Sequence, residues 1–166
     1  MTFSCLLERP STGARADVWK PSLERLDYEV LVMECCLLLS ETDARFRVGG
    51  FGQGDWHLDV AYDLSVAIEQ LPPLLTAVRA GVEAELDFYS QGIERGLDFS
   101  RSGQDVIIKC HSRTPWVPNP ATEVVSFRVL DAMLVRLAHD FAASLESMNH
   151  AFSSVPPFRD WLVGRV

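Results

Sequence analysis

Residues 126–148 read SFRVLDAMLVRLAHDFAASLESM, and in them Leu130, Met133, Leu134, Leu137, Phe141, Leu145 and Met148 recur at steps of three and four. That spacing predicts a long amphipathic helix from about Ser126 to Met148, apolar along one stripe. Such a stripe needs a flat apolar surface to cover, and the residues upstream supply one. Leu97 to Ser100, a turn at Arg101-Ser102-Gly103-Gln104, and Asp105-Val106-Ile107-Ile108-Lys109-Cys110 read as a β-hairpin. The fold class that follows is α+β: a predominantly antiparallel β-sheet packed by the long C-terminal helix and a shorter internal helix.

Working back toward the N-terminus, Val82 to Phe88 alternates and reads as a strand after Gly81, a helix C-cap residue. The internal helix is predicted at about 66–80. Pro72 and Pro73 should break it, because a proline lacks the N–H of the helical ladder; the second piece then starts on a proline. Before it, Trp56, Leu58, Val60, Tyr62 and Leu64 alternate with His57, Asp59, Ala61 and Asp63, which predicts a half-buried strand ending near Asp63. Ala44 to Val48 is a strand joined to it through Gly49-Gly50-Phe51-Gly52-Gln53-Gly54, a flexible hairpin loop. Tyr28 to Ser40 is apolar on both alternating faces and reads as a central strand. Pro10, Gly13 and Pro21 mark residues 8–24 as loop, and Pro115, Pro118 and Pro120 mark residues 113–121 as an irregular crossing around Trp116. After Pro156-Pro157, residues Phe158, Trp161 and Leu162 form a short docking turn or helix.

The chain has 166 residues, 48% hydrophobic and 23% charged, which suits one globular domain over 1–166. A formal charge of −8 argues against nucleic acid or an anionic membrane as partner. The greasiest run, Val30 to Leu39, contains Glu34 and is far shorter than the ~20 residues of a membrane span. No basic segment followed by an apolar core opens the sequence, so a cytoplasmic location is expected. Cys5, Cys35, Cys36 and Cys110 are then reduced thiols.

Motifs for catalysis are sparse. The glycine-rich segment Gly49 to Gly54 lacks the lysine of a phosphate-binding loop and leads into no helix N-terminus. Cys110 and His111 are adjacent on an extended chain and point to opposite faces, as do Cys35 and Cys36, so neither pair converges on one ion or proton. No metal and no cofactor is expected. Glu34 is assigned to structural pairing or to exposure, and His139-Asp140 to helix surface.

Charge clustering is the strongest remaining signal. From Asp55 to Phe88 there are seven acidic residues and one basic residue, Arg79. Strand periodicity would place Asp55, Asp59 and Asp63 on one face, and Glu83, Glu85 and Asp87 on one face. Like charges arrayed along a sheet cost stability. The bland reading is a solvated face; the functional one is a docking surface for a basic protein, with Phe51, Trp56 or Trp116 as aromatic anchors.

The element order adds to this. A strand pair, Asp63-Leu64-Ser65, a helix running to Val78-Arg79-Ala80-Gly81, then Glu85-Leu86-Asp87-Phe88 and a hairpin through Val106-Ile107-Ile108 resembles small bacterial immunity proteins encoded beside polymorphic or contact-dependent toxins. The resemblance covers residues 28–110 in outline. It implies a cytoplasmic, non-catalytic inhibitor that plugs the active site of one cognate toxin, often a basic nuclease. Two other classes stay open: a small enzyme or ligand-binding domain whose pocket collects His57 with Cys110 or His111, and an adaptor or chaperone for a secreted effector, using apolar surface on the long helix.

Overall fold

The computed structural model describes residues 2–11, 27–91 and 93–166. In chain order its elements are β1 (Ser4–Glu8), α1 (Tyr28–Ser40), β2 (Arg45–Gly49), α2 (Asp63–Ala80), β3 (Ala84–Phe88), β4 (Arg95–Ser102), β5 (Asp105–Ser112), β6 (Thr122–Ser126), α3 (Phe127–Met148), α4 (His150–Ser153) and α5 (Phe158–Trp161). The four strands β3-β4-β5-β6 form an antiparallel meander, and β1-β2 is a separate antiparallel pair. This is the α+β architecture that the sequence predicts. Among the described residues no helix is long and apolar enough to cross a membrane.

The long helix α3 forms as its spacing requires. Ser126 caps it by accepting the Val129 N–H at 3.4 Å, satisfying one of the amides left free at a helix start. Leu130, Leu134, Leu137, Phe141, Leu145 and Met148 are buried. The C-terminal segment docks on this helix as α4 and α5, where Phe141 meets the rings of Phe158 and Trp161 at 5.5 and 6.4 Å. The expected hairpin is β4–β5, tightened to a two-residue connection between Ser102 and Asp105. A chain of rings then ties the two sheets together: Phe3 against Phe51 and Phe99, Phe51 against Trp56, and Trp56 and Phe46 against Phe88.

Three of the expected elements differ. Tyr28 to Ser40 is helix α1 and not a strand. Its buried residues are Leu31, Val32, Cys35, Cys36 and Leu39, a helical stripe hidden in the sequence because the other face is apolar too. Trp56 to Asp63 is not a strand either; β2 pairs with β1 instead, Cys5 facing Val48 and Leu7 facing Phe46. The expected break at Pro72-Pro73 is also absent, since α2 runs unbroken from Asp63 to a left-handed Gly81. Pro72 has no N–H to offer the carbonyl of Ile68, and the Tyr28 hydroxyl donates to that carbonyl at 2.7 Å instead. Of the two donors that the prolines remove from the ladder, this one is supplied from α1.

Strands β1 and β6 are additions that the sequence pattern did not announce. The irregular crossing at 113–121 and the strand at 84–88 are as expected. The loop expected at 8–24 lies, beyond residue 11, outside the described residues.

Candidate functional site

The six carboxylates expected along one flank separate into two groups. Asp55, Asp59 and Asp63 share no strand face, because no strand exists there. Asp55 sits beside Arg47 at 3.2 Å and accepts the His57 N–H at 3.0 Å; that backbone bond, with Arg47, holds its carboxyl below the usual range. Asp59 and Asp63 start helix α2. The Asp59 carboxylate takes the Tyr62 N–H at 2.9 Å, and the buried Asp63 carboxylate reaches back to the Asp59 N–H at 2.8 Å. This reciprocal capping satisfies free amides at the helix entry. These three acids are fixtures of the fold.

Glu83, Glu85 and Asp87 lie where the sequence places them, on and just before β3. Asp87 is held by Arg113 at 2.6 Å. Glu85 faces Asp98 of β4 directly across the ladder, and Asp98 in turn faces Lys109 of β5. Lys109 forms no ion pair among the described residues. Between the two carboxylates lies His111, its Nε2 3.9 Å from Glu85 and its Nδ1 3.6 Å from Asp98. The imidazole rests on Gly96, where a Cβ would overlap the ring; glycine is needed for this close approach. The Glu85, Asp98 and His111 side chains are 55, 50 and 40% exposed. A shallow depression of about 530 Å³ is lined by Glu83, Glu85, Asp98, Ser100, Ile107 and Lys109. Next to Ile107 in the register is the exposed Val124. This face therefore grades from acidic on β3–β4 to apolar on β5–β6.

The proposed aromatic anchors belong to the opposite face of the same sheet. Phe51 and Trp56 are buried core residues, so they are not surface anchors, and Trp116 is half-buried. Trp56 and Trp116 clasp a residue the sequence reading did not single out, Arg95, whose guanidinium carbon lies 4.6 and 3.6 Å from their ring centroids. Arg95 is only 5% exposed, donates to Gln53 Oε1 at 3.1 Å, and leaves Nε and Nη1 without a partner. No carboxylate among the described residues pairs with it. Burial lowers its pKa, and the two ring faces supply the compensating attraction.

The glycine-rich loop is locked by this clasp and is no flexible hairpin. Gly50, Phe51 and Gly52 have φ of 126, 55 and 88°. A left-handed phenylalanine costs roughly 1–3 kcal/mol and persists only where its surroundings over-determine it. Here the buried Glu123 carboxylate accepts the Phe51 N–H at 2.6 Å, and the Phe51 carbonyl accepts from Asn119 at 2.9 Å. Arg95 and Glu123 were legible in one respect: each shares strand parity with buried apolar residues, Leu97 and Phe99 for the first and Val125 for the second. A charged residue on the apolar parity of a strand is the signal that finds them.

Cys110 and His111 do point to opposite faces. Cys110 is buried among the inner-face residues, and burial pushes its thiol up to about 11. His57 lines a separate depression with Arg45, Asp55 and Asp59. A Cys/His pair of the kind a nucleophilic site requires is therefore not assembled from these residues. Cys5 and Cys35 are pushed up to about 12 by burial, and Cys36 is raised well above 9. Among the described residues no group of three His, Cys, Asp or Glu side chains is placed to hold a metal ion. Comparison with protein-family models, with characterised proteins and with solved structures finds no match to this chain.

Proposed function

We propose that this protein is a non-catalytic binding protein of the immunity type, which neutralises a cognate bacterial toxin by seating a cationic part of it on the outer face of the four-stranded sheet. The observation that carries this reading is the Glu85–Asp98 pair. Two carboxylates directly opposite one another destabilise a sheet, and Glu85 has only Asp98 opposite it in the ladder, whereas Asp98 also faces Lys109. A partner lysine or arginine entering the depression beside them would relieve that repulsion and be desolvated against Ile107 and Val124. Complementary charge of this kind raises the encounter rate and suppresses wrong partners. The contact set is Glu83, Glu85 and Asp98, with Asp87 held at its edge by Arg113. Asp55, Asp59 and Asp63 are not part of it.

The test is co-expression with the product of the adjacent reading frame, followed by binding measurements on the purified pair. Rescue of growth and salt-sensitive binding are expected. The single reversal E85K, which sets a lysine opposite Asp98, should weaken binding at least tenfold with its thermal midpoint unchanged or raised. A folded protein that neither rescues nor binds, or whose binding ignores this reversal, ends the proposal.

A further inference from the structure

Strand β1 has β2 on one side, and on the other it borders helix α3 across a groove of about 600 Å³. One wall is the consecutive run Ser4 to Arg9. The other is Val129, Ala132, Met133, Arg136, Leu137 and Asp140, which fall at i, i+3, i+4, i+7, i+8 and i+11 and so lie along one face of α3. The walls match in length: the five steps from Ser4 to Arg9 span about 17 Å, and the eleven steps from Val129 to Asp140 span about 16.5 Å.

The edge of β1 is unclosed by any described residue. Among the described residues, the backbone of Ser4–Glu8 makes no hydrogen bond beyond its ladder with β2. The outer edges of β3 and β2 do carry such bonds. Gln70 of α2 bonds both the N–H and the C=O of Asp87 on the outer edge of β3, each at 3.0 Å. The Trp56 N–H bonds the Val48 carbonyl of β2 at 2.9 Å. An open edge running beside an apolar helix face is the geometry in which an extended chain adds as a further strand, its backbone bonding the edge and its alternate side chains entering the groove.

The groove's charge is uneven. At one end Arg9 and Arg136 both approach the single carboxylate of Asp140, at 4.0 and 3.3 Å. Glu8, the other acid there, is taken by Arg47 at 3.0 Å. Two guanidinium groups thus share one carboxylate at this end of the groove, while Arg47, on β2, is itself shared between Glu8 and Asp55. Leu6 and Val129, 41 and 54% exposed, leave the body of the groove apolar.

From this geometry we propose that the β1–α3 groove receives an extended peptide segment of a partner protein, apolar at alternate positions and carrying a carboxylate at the end that meets Arg9 and Arg136. This site is independent of the outer sheet face. An extended backbone is the occupant that answers the unpaired edge as well as the apolar walls; an alkyl chain answers only the walls.

The probe is the peptide acetyl-TVTVTE with a free C-terminus, titrated into the full chain and followed by backbone amide shifts and hydrogen exchange. Micromolar binding is expected, with exchange of the β1 amides slowed at least tenfold and shifts confined to residues 4–9 and 129–140. Ala132 is exposed on α3, so A132W fills the groove without touching the core, and it should weaken binding at least tenfold. R9E/R136E should weaken this peptide about fivefold and favour acetyl-TVTVTK-amide instead. Binding that survives A132W, or leaves β1 exchange unchanged, overturns the proposal. So does the absence of binding, a concentration-dependent dimer through β1 that excludes the peptide, or decanoate competing for the groove with the same shifts.

Discussion

The two faces of the four-stranded sheet hold charge in opposite ways. The inner face buries Arg95 and Glu123, neither with an ionic partner among the described residues, and builds neutral compensation around each: two indole rings and Gln53 for the cation, the Phe51 amide for the anion. The outer face sets Glu85 against Asp98 with only His111 between them. Buried charge that survives selection for stability must be tied into the structure, because an unpaired ion away from water is costly. Surface charge that repels its neighbour has no such tie. Charge on the inside of this sheet thus serves the fold, while charge on the outside is free to serve a partner.

Removing the inner charges should therefore have the largest effect. Arg95→Ala opens a gap between Trp56 and Trp116 and is expected to cost about 3–5 kcal/mol in urea denaturation. Glu123→Ala leaves the Phe51 amide buried and unbonded and should cost about 1–3 kcal/mol. The comparison sharpens with Arg95→Met, which fills the slot without the desolvated charge and should stay within about 1 kcal/mol of the original. Loss of less than about 1 kcal/mol in both Arg95→Ala and Glu123→Ala would show that these charges hold nothing together.

Alkaline pH probes the buried interior, to which this face belongs. Burial pushes the thiols of Cys110, Cys5 and Cys35 up to about 11, 12 and 12 from an ordinary 9, and Cys36 rises well above it. Their neutral form is the one that packs. Below pH 9 folded and unfolded chains both keep these protons; above it the unfolded chain loses them first, so stability should fall as pH climbs from 9 toward 12. Below that range, a thiol-specific disulfide reagent at pH 8 should modify the native protein roughly a hundredfold more slowly than the unfolded chain. Rapid native modification of Cys110 would mean that the inner face is open, and a Cys/His pocket would return as a reading.

What the sequence disclosed divides along similar lines. Helix α3, the β4–β5 hairpin and β3 were legible because one face is apolar and the other polar, so their period shows. Helix α1 was misread because Val30, Met33 and Leu37 on its outer face are apolar as well, which erases the period. Its thirteen residues, about twice a usual strand, were the better guide. Alternation at 56–63 was genuine in composition, yet Asp59 and Asp63 are spaced to cap a helix, and that local chemistry won. Strands β1 and β6 are short edges whose existence depends on distant partners. Of the site, Glu85 and Asp87 were visible from strand parity; Asp98 carried the same signal one strand later, and its cross-strand partner needed the register. Phe51 and Trp56 were misplaced because aromatic residues beside glycines look exposed until a tertiary clasp buries them.

The smallest expected effect is the most discriminating. Glu85→Gln removes the member of the facing carboxylate pair that has no cation opposite it in the ladder, and should raise stability by about 0.2–1 kcal/mol, the scale of a cross-strand like-charge contact. Asp87→Asn is its control on the same face, because Asp87 has a cation of its own at 2.6 Å in Arg113. Neutralising it removes an exposed ion pair, and the change should be a loss of no more than about 1 kcal/mol. Urea midpoints of the two variants, measured at low and at high salt, should move in opposite directions at low salt and converge as salt screens both. If Glu85→Gln instead destabilises the protein, the outer carboxylates are tied into the fold as firmly as Glu123 is, and the distinction between the two faces fails with them.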